Sequence, residues 1–434
     1  MARRLFGTDG VRGVAGEKLT AELALALGRA ATEQAGGEGC RVLIIRDTRE
    51  SGEMLEAALA AGVAAAGGEV LLGGVLPTPA APLLVSRYGL DLGVVVSASH
   101  NPYRDNGIKF FGSDSLKLSD EVEEEIEGRI EAPAPPPQAP GRIRELHGTA
   151  EDYLRALEQR FAELDLSALK VLLDCANGAS YRVAPEIFRR LGAEVSTLGT
   201  EPDGRNINDG VGSTHVGLLA AAVAEGGFDL GFAFDGDADR VLAADRTGTV
   251  VDGDELIALA ALHLRREERL GGGVAVTVMT NYGFHTAMRE AGIEVAVTDV
   301  GDRYVLAELL ERGWSLGGEQ SGHIIDTGFV PSGDGIASAL LTLEALAGAD
   351  LAGRSAMTRL PQKLANVAVA DKAAAMAAVE EAAASEEEGL EGRGRVLVRP
   401  SGTEELVRVM VEAPDEGECE AVCGRLVAVV ESAS

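Results

Sequence analysis

Short apolar runs, separated by stretches rich in alanine and leucine, constrain the fold of this chain more than any other feature. Residues 41–45, 69–72, 92–96, 170–173 and 274–278 read as strands, and the segments between them read as helices. That alternation predicts repeated βαβ units with parallel or mixed sheets. The runs 229–234, 241–244 and 249–252, the last two around Arg246-Thr247-Gly248, predict an antiparallel edge in the second unit. Residues 131–141 carry Pro133, Pro135, Pro136, Pro137 and Pro140 and would form a stiff, extended excursion. We expect a surface loop of the first domain there, followed by a helical pattern over 150–164 that leads into the second. Beyond residue 364 the pattern changes to strand, acidic helix 372–388, two strands and helix 416–430, a smaller α+β unit. At 434 residues several domains are expected; the boundaries fall at 1–150, 151–252, 253–364 and 365–434.

The strand 92–96 runs into Ser97-Ala98-Ser99-His100-Asn101-Pro102, with Asp105-Asn106-Gly107-Ile108-Lys109 close behind. Open α/β sheets place ligand-binding loops at strand ends. A serine there can hold a covalent intermediate if a neighbour activates it or it arrives phosphorylated. Alone, a Ser-His pair in a turn is an ordinary hydrogen-bonded loop.

The second motif is Phe234-Asp235-Gly236-Asp237-Ala238-Asp239-Arg240. Three alternating carboxylates around a glycine can turn their oxygens inward onto a hard cation such as magnesium. A calcium EF-hand would need Gly at its sixth position and Glu at its twelfth, where this chain has Arg240 and Arg246. A second Asp-Gly-Asp, at Asp252–Asp254, lacks a third carboxylate and reads as a turn and helix N-cap.

Two more loops complete a set. Gly317-Gly318-Glu319-Gln320-Ser321-Gly322-His323 mixes a carboxylate, an amide and a hydroxyl, groups suited to a sugar. Arg399-Pro400-Ser401-Gly402-Thr403-Glu404, with Arg408 nearby, offers arginine forks, hydroxyls and a glycine-flanked backbone, which suit a phosphate dianion.

In this order, over the whole chain, these motifs resemble the α-D-phosphohexomutase superfamily. Finer features resemble its bacterial branch acting on glucosamine phosphates. They are Phe6-Gly-Thr-Asp-Gly-Val-Arg-Gly13, Ser97–Pro102, Asp203-Gly-Arg-Asn-Ile-Asn208, Gly212-Ser-Thr-His215, Val300-Gly-Asp-Arg-Tyr304, Gly318–His323 and Arg408-Val-Met-Val-Glu412. The resemblance implies three similar α/β domains with mixed sheets and a smaller C-terminal α+β domain around a central cleft. In order these would be a phosphoserine, a magnesium-binding, a sugar-binding and a phosphate-binding domain, the last hinging over the phosphate.

Residue by residue, the resemblance makes Ser99 the phosphoryl carrier, followed by His100, with Ser97 an accessory hydroxyl. Asp235, Asp237 and Asp239 match magnesium ligands, joined by a phosphoserine oxygen on Ser99. Lys109 and Arg12 match groups that assist proton transfer and steady charge; His323 lies in the loop of the sugar contacts, and its ordinary near-neutral pKa makes it an alternative proton carrier. Glu319 and Ser321 match sugar contacts, Arg240 is a further substrate-binding candidate, and Arg399, Ser401, Gly402, Thr403 and Arg408 match the clamp for the distal phosphate. Asp302-Arg303 also leans toward the glucosamine branch. Val211 and Glu405 depart from the usual cysteine and proline without removing a needed chemical group.

The implied reaction interconverts glucosamine 6-phosphate and glucosamine 1-phosphate for amino-sugar nucleotide and cell-wall precursor synthesis. It would pass through phospho-Ser99 and a hexosamine 1,6-bisphosphate, which also serves as primer. The alternative is a phosphomannomutase or phosphoglucomutase with the same machinery. A non-catalytic sensor would have been signalled by loss of Ser99 or an aspartate, and a closing fourth domain argues against a phosphatase. For Lys109 to act as base its pKa must fall toward neutrality, whereas His323 needs no large shift. The expected partner is a small phosphosugar; a homodimer, and a kinase or autophosphorylation as the first source of phosphate, are further expectations.

Composition agrees. A formal charge of −30 argues against nucleic acid or anionic membrane as partners. It also means local arginines and a cation must overcome a repulsive field, within a Debye length of about 8–10 Å. The four cysteines, at 40, 175, 419 and 423, fit no disulfide framework, and Cys419 and Cys423 read as helix-face residues. The N-terminus enters a motif without a long apolar region and no membrane-length apolar stretch follows, so a cytoplasmic enzyme is expected.

Overall fold

The computed structural model describes residues 5–7, 9–132, 135, 137–401 and 404–433. They form two compact units, one of Met1–Val278 with Ala296–Arg354 and one of Met279–Val295 with Ser355–Ser434.

The first unit holds a six-stranded sheet in the order Val11–Val14, Asp105–Gly112, Leu92–Val96, Arg41–Arg46, Glu69–Val75 and Ile143–Glu145. The last four strands are mutually parallel; the first two join antiparallel. Every residue of Leu92–Val96 is buried, as a parallel strand covered on both faces requires. Helices Ala21–Gln34 and Gly52–Ala65 lie so close that a Cβ on Gly62 would stand 2.0 Å from the Leu25 carbonyl oxygen. The proline-rich excursion returns to this sheet through Gly141 N, which donates to Ala64 O at 2.8 Å, and through the pairing of residues 143–145 with 70–72. Pro133 and Pro136 lie outside the described residues.

The helix expected over 150–164 is Thr149–Arg160. It stops because Phe161 leaves the helical path to bury its ring, beneath the Arg160 guanidinium at 4.5 Å. A second sheet runs Val250–Val251, Val241–Asp245, Leu230–Phe234, Lys170–Asp174, Glu194–Leu198, and its first three strands form the expected antiparallel edge. Asp252 caps the helix Gly253–Arg266 by accepting from Glu255 N. The third sheet runs Glu294–Thr298, Gly273–Thr277, Leu316–Gly318, Ile324–Asp326, the last two joined as a hairpin.

The second unit has an antiparallel sheet with Leu406–Glu412 between Gln362–Ala368 and Arg395–Pro400. Helices Lys372–Gly389 and Glu416–Ser432 pack on it over a valine-rich core that includes Cys419 and Cys423. The helix Tyr282–Ala291 belongs here too. Fully buried Glu412 accepts from Asn281 Nδ2 (3.1 Å), Tyr282 N (2.9 Å) and Arg395 Nε (2.7 Å), anchoring residues 279–295 to this sheet. No cysteine among the described residues is disulfide-bonded, and none of their helices is long and apolar enough to cross a membrane.

Candidate active site

Ser99 sits just past the end of strand Leu92–Val96, 1% exposed, with φ of 53°. A left-handed serine is a strained residue held by its surroundings, a feature that clusters at functional loops. Its Oγ donates to Asp235 Oδ2 and stands 3.4 Å from His100 Nδ1. Burial, then the cations Arg240 and Arg12, push the His100 pKa down from its ordinary value. Ser97 accepts from Ser99 N at 3.0 Å and donates to Asp47 Oδ2 at 2.6 Å. Its hydroxyl therefore braces the loop.

The aspartate motif turns between strands Leu230–Phe234 and Val241–Asp245, with Ala238 also left-handed. Carboxylate oxygens of Asp235, Asp237 and Asp239, all buried, lie within 4.8 Å of one another. Asp235 Oδ1 accepts from Arg240 N at 3.2 Å, and Asp237 Oδ2 from Thr78 Oγ1 at 2.6 Å. Burial, Asp239 and Asp237 together push Asp235 well above the carboxylate range. Asp237 Oδ1 and Asp239 Oδ1 are buried without a hydrogen-bond partner. Buried carboxylate oxygens of that kind are costly unless a cation takes them, so these residues fit a hard divalent ion.

Lys109, on strand Asp105–Gly112, is 1% exposed, with Nζ 2.8 Å from Asp237, 3.0 Å from Asp9 and 3.6 Å from Asp239. Burial pulls its pKa down, but Asp237, Asp9 and Asp239 outweigh burial and hold it above the usual lysine value. The fall toward neutrality that base chemistry would need is not found. In this structure the Lys109 ammonium is enclosed by the carboxylates of Asp237, Asp9 and Asp239. Arg12 pairs with Asp9, and Lys117 joins Asp9 (2.6 Å) to Asp302 (2.5 Å). His323 stands between carboxylates, 3.6 Å from Asp239 through Nδ1 and 3.6 Å from Asp302 through Nε2. Burial lowers its pKa, and Asp239 and Asp302 more than reverse that.

Above these groups opens a cleft of about 500 Å³, lined among others by Arg12, His100, Arg240, Asp302, Glu319 and His323. Glu319 accepts from Gly301 N at 2.9 Å and from Ser321 Oγ at 3.1 Å, which ties the two sugar-contact candidates together. Their loop is strapped to the aspartate motif by Val241 N donating to Gly322 O at 3.0 Å. Gly322 is left-handed, and a Cβ there would stand 2.1 Å from Val241 O, so only glycine fits.

In the second unit Arg399 and Arg408 are register partners on adjacent antiparallel strands. Like charges directly opposite are unfavourable unless an anion joins them. Ser401 Oγ accepts from Glu404 N at 3.3 Å, and Arg408 lies 3.6 Å from Glu404. Gly402 and Thr403 lie outside the described residues.

Sequence reasoning missed Asp9, Thr78 and Lys117. Asp9 could have been found, since it shares the Phe6–Gly13 motif with Arg12; Thr78 and Lys117 carry no local signal.

Four family models match in succession: phosphoglucomutase/phosphomannomutase α/β/α domains I (residues 3–135), II (151–248) and III (252–364), and the C-terminal domain (364–429). The phosphoglucosamine mutase of Moorella thermoacetica is 52% identical over 438 residues, 98% of each chain. That of Saccharopolyspora erythraea is 52% identical over 439 residues, 98% of this chain and 99% of its own. Among solved structures, a phosphoglucomutase/phosphomannomutase family protein from Burkholderia thailandensis is similar with a TM-score of 0.83 and 25% identity, covering 99% of this chain and 97% of its own. Aspergillus fumigatus N-acetylphosphoglucosamine mutase, solved with GlcNAc-6P and magnesium, shares the fold with a TM-score of 0.66 at 18% identity, over 99% of this chain and 96% of its own. The chain belongs to the α-D-phosphohexomutase superfamily and, within it, to the group of the bacterial phosphoglucosamine mutases.

Proposed function

We propose that this chain is a phosphosugar mutase that interconverts glucosamine 6-phosphate and glucosamine 1-phosphate. The observation that carries the mechanism is Ser99 hydrogen-bonded to Asp235 beneath a cleft lined by Arg12, Arg240 and His323. The substrate rests on phosphoglucosamine mutases 52% identical over nearly the whole chain.

Phosphoryl transfer asks mainly for positioning and charge neutralisation. The O1 hydroxyl of glucosamine 6-phosphate attacks the phosphorus of phospho-Ser99, the P–Oγ bond breaks, and the O1 proton passes by way of His323 to the departing Ser99 Oγ. The resulting 1,6-bisphosphate turns over within the cleft, and its O6 phosphoryl group passes to Ser99 Oγ while the Ser99 hydroxyl proton goes to the departing O6, leaving glucosamine 1-phosphate. Phosphoserine and substrate together carry roughly −3 to −4 charges near neutral pH. Arg12, Lys109 and Arg240 offset part of that charge. Asp235, Asp237, Asp239 and Ser99 would hold magnesium, which, when bound, neutralises further phosphate charge. Glu319 and Ser321 would meet the sugar hydroxyls, and Arg399, Ser401, Gly402, Thr403 and Arg408 the distal phosphate.

The test is kcat/KM on glucosamine 6-phosphate, glucose 1-phosphate and mannose 1-phosphate, with magnesium and a hexose 1,6-bisphosphate primer, beside Ser99→Ala. We expect a large preference for the glucosamine phosphate, abolished in the variant. Equal turnover of the other sugars would overturn the substrate assignment in favour of a phosphomannomutase or phosphoglucomutase. Undiminished activity of Ser99→Ala would overturn the mechanism.

A further inference from the structure

Arg49 is among the largest fully buried side chains of the described residues, and the mechanism above does not use it. It lies past the end of strand Arg41–Arg46 and reaches sideways beneath the loop that follows the neighbouring strand, Leu92–Val96. Its five donors are nearly all spent on that loop. Nη2 donates to Ser99 O (2.8 Å) and Asn101 O (2.9 Å), and Nη1 to Pro102 O (2.5 Å) and Asp105 O (3.0 Å). Nε donates to Asp47 Oδ2 at 2.8 Å, with both side chains fully buried. The same Asp47 oxygen accepts from Ser97 Oγ, and Ser97 Oγ accepts from Ser99 N. Asn208 Nδ2, from the Asp203–Asn208 motif, also donates to Ser99 O (2.9 Å) and Asn101 O (3.2 Å). Ser99 is thus gripped at its amide through Ser97 and Asp47, and at its carbonyl through Arg49 and Asn208.

A planar guanidinium suits this task because its fork can meet four carbonyls and one carboxylate at once, which a lysine cannot. A stable turn needs less. A Ser-containing loop at a strand end ordinarily holds itself with short-range bonds, and burying an ion pair beneath it costs desolvation. The grip is centred on the one left-handed serine whose Oγ must point to Asp235.

We propose that Arg49, Asp47 and Ser97 are positioning residues for phosphoryl transfer, a brace that fixes the backbone of Ser99 so that its Oγ stays aimed at the aspartate motif. The hydrogen bonds of Arg49 and Ser97 go to Asp47 and to the backbone of the Ser99 loop, while Glu319 and Ser321 are held by Gly301 and by each other, so the brace acts on the transfer step and leaves sugar binding alone. The inference rests on the reading of Ser99 as phosphoryl carrier.

The test compares wild type, Arg49→Lys and Ser97→Ala, each primed with glucose 1,6-bisphosphate, for kcat and KM on glucosamine 6-phosphate and for the ³¹P resonance of the phosphoserine. Ser97→Ala keeps the buried ion pair and covers the case in which Arg49→Lys fails to fold. We expect kcat to fall about ten- to a hundredfold in each folded variant, the range typical of lost supporting contacts. KM should stay within about twofold, and the ³¹P line should move toward that of free phosphoserine. A kcat loss matching only the unfolded fraction, with an unchanged ³¹P line, would overturn the proposal and leave a purely structural pair. So would a rise in KM at constant kcat. Absence of a phosphoserine signal in active wild type would instead overturn the reading of Ser99.

Discussion

Asp334 offers a stability test worked from its burial, its hydrogen bonds and its shifted pKa. It caps the helix Gly335–Leu346 by accepting from Ala337 N at 2.9 Å, and it accepts from Tyr153 Oη at 2.8 and 3.0 Å. Burial nevertheless pushes its carboxyl up from 3.8 to about 6, against the pull of those hydrogen bonds. Because the folded value lies above the unfolded one, its contribution to stability is fully present below about pH 4. It is lost as pH rises through about 6. A shift of about 2 units corresponds to about 3 kcal/mol between those limits. Asparagine caps a helix as well as aspartate, and its amide can still pair with Tyr153. Losing the charge at the helix N-terminus forfeits about 0.3–1 kcal/mol. Asp334→Asn should therefore be more stable than wild type by about 2 kcal/mol at pH 8, with no gain at pH 4. Trp314, the sole tryptophan and a buried residue of the same unit, reports the transition by fluorescence during urea unfolding at each pH. A variant no more stable than wild type at pH 8, or equally favoured at both pH values, would refute the reasoning.

Two further predictions concern the site. Lys109→Met removes the ammonium that neutralises Asp237, Asp9 and Asp239, and should destabilise the metal-free protein by about 3–5 kcal/mol. Magnesium should then raise the melting temperature more in the variant than in wild type; equal shifts would count against Lys109 as the counter-charge of the aspartates. Gly322→Ala forces a left-handed alanine into Val241 O and should cost at least about 1–2 kcal/mol. It should also lower kcat/KM by displacing Glu319 and His323, and an unchanged melting temperature and rate would contradict that tight strap.

The architecture was legible because strand burial is written locally: five consecutive apolar residues at Leu92–Val96 cannot avoid the interior, and the observed strand has the same limits as the expected one. The aspartate loop was legible for a similar reason, since Asp235, Asp237 and Asp239 are neighbours in sequence and therefore in space. Helix ends were less so, and Phe161 ended a helix through a burial that local sequence does not announce. The placement of Tyr282–Ala291 beside the C-terminal strands was not legible either, because it depends on Glu412, 130 residues beyond Tyr282.

What the sequence by itself determined was which chemical groups are present, their order along the chain, and the strand ends at which they emerge. What only the tertiary structure decided was their electrostatic state and aim. Lys109 is separated by 128 residues from Asp237, yet lies 2.8 Å from it, and that contact together with Asp9 keeps it charged. The direction of Ser99 Oγ depends on Arg49 and Asn208, 50 and 109 residues away. Charge state and orientation follow from through-space distance and burial, and both arise only when distant segments meet.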